Sequence, residues 1–151
     1  MKELKRYIEV GILFSIIFGT LSHFVYEWSG QNPIAAFFFP VDESVWEHVK
    51  LLFFPALLYS MFLIVRMKEK YPCVIPAVPV GILTGALSIP AFFYFYTAIL
   101  GYHLLFLDIL IFVISVVLTF FIIYKLTLSC KISNNAGWIL LAALGVSFWI
   151  K

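Results

Sequence analysis

The chain predicts an all-α, polytopic transmembrane helix bundle of about five spans. Three observations carry that prediction: an apolar composition, apolar runs of membrane length, and basic residues concentrated in alternate connections. Hydrophobic residues make up 64% of the 151 positions and charged residues 12%, with a mean hydropathy of +1.06. Soluble domains carry about 25% charged residues. A single transmembrane domain over residues 1–151 is the economical organisation.

A hydrocarbon core about 30 Å thick needs about 20 apolar residues of helix. The first span runs over about 8–28. Its basic start resembles a signal peptide, but the apolar run is about twice as long as a signal-peptide core and no small-x-small site leads into a polar region, so a retained span is favoured. The second span covers about 49–65 and contains Pro55. The third covers about 73–100, long enough to tilt or bend, with Pro76, Pro79 and Pro90 each removing a backbone donor. A kink there would open a cavity beneath one membrane face. The fourth covers about 104–124, and the fifth, 136–150, barely reaches across a thin bilayer unless it is tilted or truncated. Gly11, Ser15 and Gly19, and again Gly81 and Gly85, recur every four residues and present faces for close helix approach within one protomer.

Cytoplasmic connections retain lysine and arginine. Lys2, Lys5 and Arg6 precede the first span, Arg66, Lys68 and Lys70 follow the second, and Lys125 and Lys131 follow the fourth. Eight of the ten basic residues thus share a side, which predicts a cytoplasmic N-terminus and an external loop at 29–48. These short flanks explain the net charge of +2 by topology and exclude nucleic acid as a partner, leaving membrane lipids. Cys73 and Cys130 fall on the predicted cytoplasmic side, where reducing conditions disfavour a disulfide; neither has zinc-knuckle or redox-pair spacing, so buried or free thiols are expected.

The chemistry concentrates on the other side. All three histidines and five of the eight carboxylates (His23, Glu27, Asp42, Glu43, Glu47, His48, His103, Asp108) fall near the same ends of successive spans. His23 and Glu27, four residues apart, share a helix face, and His23 lies about 7 Å inside the predicted boundary. Ionisable groups inside a span are costly and face a bundle interior or an aqueous cavity. Ser44 and Glu47 have the form of a capping box, Asp42 and Glu43 suit a helix N-terminus, and Glu47 and His48 project about 100° apart. Asp108 stands within an apolar run, where it costs up to about 3 kcal/mol. The stretch Ala35–Phe39 is too short to span and suits a re-entrant or interfacial segment.

Three imidazoles with carboxylates form the donor set that zinc and similar divalent metals favour. The same groups also suit a proton relay. No H-E-x-x-H motif is present.

The stretches P-V-D-E-S-V-W-E-H-V-K-L-L-F-F-P (Pro40 to Pro55) and H-F-V-Y-E-W-S-G (His23 to Gly30) resemble a family of small bacterial polytopic membrane proteins described only as a domain of unknown function, with an E-S-V-W-E-H-x-K-L motif. The likeness covers the first two spans closely and the remainder in general pattern. It marks His23, Glu27, Glu43, Trp46, Glu47, His48 and Lys50 as signature positions, implies the bacterial plasma membrane, and brings no activity with it. It also implies a proline- and aromatic-rich external tail beyond the last span, where this chain ends at Lys151.

Three function classes stay open. The leading one is a metal-dependent hydrolase at the external face acting on a lipid or lipid-linked substrate. In it His23, His48 and His103 with Glu27 or Glu47 hold a divalent metal such as zinc, Glu43 or Asp108 is the general base, and Lys50 and Trp46 contact substrate. The second is a small cation- or proton-coupled transporter, which with no visible inverted repeat needs a homodimer for its symmetry. The third is a non-catalytic assembly partner.

Overall fold

The computed structural model describes residues 2–38, 45–131 and 136–150, and every regular element among them is a helix. Apolar segments of this length satisfy their backbone groups internally, which in lipid only a helix or a closed barrel achieves. The order is α1 (Lys2–Trp28), α2 (Pro33–Phe38), α3 (Val45–Met67), α4 (Val74–Leu100), α5 (Leu105–Ser129) and α6 (Ala136–Ile150). Four of them, α1, α3, α4 and α5, are long and apolar enough to cross a membrane, so the protein is a polytopic helix bundle. The predicted fifth span, α6, has fifteen residues, a rise of about 22 Å. The short segment between the first two long helices forms α2. Of the long helices, α1, α3 and α5 overrun the predicted spans by several residues, because hydropathy marks the hydrocarbon and not the end of the helix, while α4 matches its span.

The most extensive interface joins α4 and α5, an antiparallel hairpin turning over residues 101–104. Gly101, at φ +82°, ends α4 and its N–H donates to Thr97 O at 2.7 Å. Down the hairpin the contacts keep one register. Ser88 Oγ donates to Ser115 Oγ at 2.8 Å, and a Cβ on Gly85 would overlap Thr119 Oγ1 and lie 3.0 Å from the Ser115 carbonyl. Thr119 and Ser115 are fully buried, so nothing there can move aside. Gly85→Val should therefore lower stability by about 3 kcal/mol or more, read as a shifted unfolding midpoint in detergent; an unchanged midpoint would mean that the hairpin is not this close.

The same register carries Cys73, at the start of α4, against Cys130, which caps the end of α5. The two form a disulfide with Cα atoms 5.4 Å apart. This corrects the expectation of unpaired thiols. A separation of 57 residues conceals neighbours that the hairpin brings together, and the compartment argument addresses redox poise, not proximity. In a reducing compartment the same juxtaposition holds two thiols.

Central to the bundle is α3, which packs on α1, α4 and α5 and buries Leu52, Ala56 and Leu63 completely. Two of the prolines have a visible structural consequence. Pro55 cannot bond back to Leu51 O, and Gly19 of α1 lies against that carbonyl, a Cβ there falling 2.8 Å from it. Pro79 likewise frees Ile75 O, and Trp138 Nε1 of α6 donates to it at 3.1 Å. In this way α6 docks on α4 through a bond that a regular helix would not offer.

Candidate functional site

At the end of the bundle away from the arginines of α1 and α3, the α4–α5 turn brings together three side chains that titrate or donate. Asp108, in the first turn of α5, accepts through Oδ1 from the Tyr96 hydroxyl of α4 and through Oδ2 from His103 Nδ1 at 3.2 Å. The backbone N–H of Leu104 donates to the Tyr96 oxygen at 3.3 Å, tying the turn to the same group. With the carboxylate ionised and the imidazole neutral, Nδ1 of His103 is the donor of this bond and Nε2 is left as the acceptor. Asp108 is about one-fifth exposed (22%) while His103 is largely open (67%), which puts the dyad at a mouth and not in the core.

Behind this mouth lies a cavity of about 220 Å³ between α3, α4 and α5. His48, His103 and Asp108 supply its polar wall, and Ile89, Phe93 and Ile111 are among the apolar residues that line the rest. Ile89 and Phe93 flank Pro90, so the cavity does open beside a proline of the third span. His48 faces two ways: it borders the cavity, and its ring lies 5.5 Å from that of His23 on α1. The chain of groups is thus His23, His48, the cavity, His103, Asp108 and Tyr96.

Glu47, one residue before His48, points elsewhere, as a 100° step dictates. Its Oε2 lies 2.7 Å from Lys50 Nζ, and both side chains are almost wholly buried. Lys50 also donates to Ala36 O of α2 at 2.9 Å and sits 5.9 Å from the centre of the Phe148 ring of α6. Trp46 packs on that same ring, centroids 5.3 Å apart. These groups fasten α2 and α6 to α3; neither Trp46 nor Lys50 lines the cavity.

The sequence-predicted residues therefore separate. His48, His103 and Asp108 meet at one cavity, with His23 stacked behind His48. Glu47 and Lys50 pair with each other, and Glu27 is exposed, accepting from Gln31 Nε2 at 3.4 Å. Asp42, Glu43 and Ser44 lie outside the described residues. Among the described residues no three His, Cys, Asp or Glu side chains come together as a group that would hold a metal. A shared side of the membrane does not fix rotation about each helix axis, and rotation is what sends Glu47 and Glu27 away. Sequence reading missed Tyr96, whose signal was available: it precedes the turn by about as many residues as Asp108 follows it, so an antiparallel hairpin must place them opposite.

A model of a family of unknown function, DUF6512, matches residues 1–150. No curated protein and no solved structure matches the chain.

Proposed function

From the membership of this chain in that family of unknown function, and from the chemistry of its cavity, we propose a membrane-embedded hydrolase at the external face of the bacterial plasma membrane, acting on a lipid or lipid-linked ester. The observation that carries the proposal is an imidazole buttressed by a carboxylate, His103 on Asp108, opening on a largely apolar cavity that His48 shares. The apolar wall takes the acyl portion of the substrate. Nε2 of His103 removes a proton from water as the water oxygen bonds to the acyl or phosphoryl centre. The bond to the leaving oxygen then breaks, and the proton on Nε2 passes to that oxygen. In this reading His48, on the cavity wall, donates to the oxyanion formed on the way.

Transport is the weaker reading because, further along α5 from the cavity, Val116 and Phe120 are apolar and fully buried and offer no polar group to a cation or proton. A metal-assisted version of the hydrolysis draws on a separate observation, the His23 and His48 rings 5.5 Å apart, which would offer two imidazoles to a divalent ion such as zinc.

The test is ester and phosphoester release from micellar lipids by the purified protein, alongside its elemental metal content. Wild type should release product, and His103→Ala should lower kcat by about 10²- to 10⁴-fold with the fold intact. Metal lost in both His23→Ala and His48→Ala would select the metal-assisted version. Equal turnover by wild type and His103→Ala, or none by either, would overturn the assignment.

A further inference from the structure

The seam between α1 and α3 carries a groove that the cavity chemistry does not use. Nearest the arginine end, a space of about 330 Å³ is bounded by Glu3, Arg6, Tyr7 and Val10 of α1 and Tyr59 and Phe62 of α3. One turn further along both helices, a second space of about 560 Å³ is bounded by residues that include Phe14, Phe18, Leu58 and Met61. The seam is held at its middle by Tyr59, which donates to Tyr7 O at 2.5 Å and packs on Phe14 with ring centroids 5.4 Å apart. Val10, Phe62 and Leu58 stay exposed along its walls.

Charge is confined to the mouth. Arg66 Nε donates to the Tyr7 hydroxyl at 3.3 Å and its guanidinium rides 5.9 Å from the Phe62 ring, so its terminal N–H groups are held beside two residues that bound the groove. Arg6 borders the same space. Of the nearby carboxylates, Glu3 is drawn to Lys70 at 3.5 Å, and Glu9 is exposed. Two guanidinium groups at the head of an apolar furrow complement a phosphate at the head of an acyl chain, and guanidinium is the side chain best matched to phosphate. This is also the end where the basic connections lie, and the cytoplasmic leaflet is the one rich in anionic lipid.

The geometry points to a site for one anionic phospholipid, its phosphate at Arg6 and Arg66 and one acyl chain laid along the α1–α3 groove. The site is independent of the hydrolase reading, since it lies on another seam at the other end of the bundle.

Native mass spectrometry of the protein in neutral detergent tests it, with phosphatidylglycerol and phosphatidylcholine of identical chains, and glycerol phosphate alone, as probes. Phosphatidylglycerol should be retained about tenfold more strongly than phosphatidylcholine. Combining Arg6→Gln with Arg66→Gln should bring the two lipids level without loss of helicity, because both side chains are exposed. Val10→Trp, which fills the groove and keeps both arginines, should weaken retention of both lipids. Equal retention of the two lipids by wild type, a preference that survives the double substitution, or capture of glycerol phosphate as strong as that of the lipid would each overturn the assignment.

Discussion

Lys50→Met is expected to destabilise the bundle by about 3–5 kcal/mol. Lys50 is 2% exposed and Glu47 6%, with 2.7 Å between Nζ and Oε2, so neither charge has water to fall back on. Removing the ammonium takes the neighbouring cation from a buried carboxylate, and the desolvation it no longer offsets, more than the lost attraction, sets the size of the effect. The substitution also deletes the donor to Ala36 O, a bond from α3 to α2. Glu47→Gln placed in the same chain should recover a large part of the loss, since a neutral pair of similar volume often replaces a buried ion pair without harm. Unfolding midpoints in detergent measure both steps, and hydrogen exchange over residues 33–38 should rise in either variant because α2 loses its anchor. A Lys50→Met protein as stable as wild type, with α2 still protected, would show that the pair is dispensable.

That a lysine within the stretch E-S-V-W-E-H-V-K-L has a structural role of this kind was only half legible in the sequence. The bundle itself was legible, because membrane length and basic connections are one-dimensional quantities. The end of the bundle that gathers the histidines was legible for the same reason. What the sequence could not fix is how each helix is turned about its axis. Glu47 and His48 are adjacent, yet the first faces Lys50 and α2 while the second faces His23 and the cavity. Partnerships across the bundle were equally hidden. Trp138 finds Ile75 O because Pro79 leaves it free, and Cys73 finds Cys130 because the α4–α5 hairpin keeps its register over its full length. Tyr96 and Asp108 obey that same register from the turn end, so a hairpin argument alone would have supplied their meeting as well.

Asp108→Asn should leave the fold intact and still cost about 10²- to 10⁴-fold in the proposed hydrolysis, through the tautomer of His103. The carboxylate accepts on both oxygens, one from Tyr96 and one from His103 Nδ1. An asparagine keeps one acceptor and turns the other position into a donor. If its oxygen stays with the Tyr96 hydroxyl, its NH₂ faces Nδ1, which can accept only by giving up its proton, and the proton then resides on Nε2. The atom that should take a proton from water would be a donor instead, with every heavy atom in place. Nitrogen-15 shifts of labelled histidine separate this from a general loss of structure: wild type should show His103 protonated at Nδ1, and the variant should show it protonated at Nε2. Asp108→Ala, which deletes both acceptors, should additionally destabilise the α4–α5 turn by about 1.5–3 kcal/mol, as expected for hydrogen bonds to a charged group. If the asparagine variant switched the tautomer and turnover did not fall, His103 would not be the base; if the tautomer did not switch, Asp108 would not be what orients it.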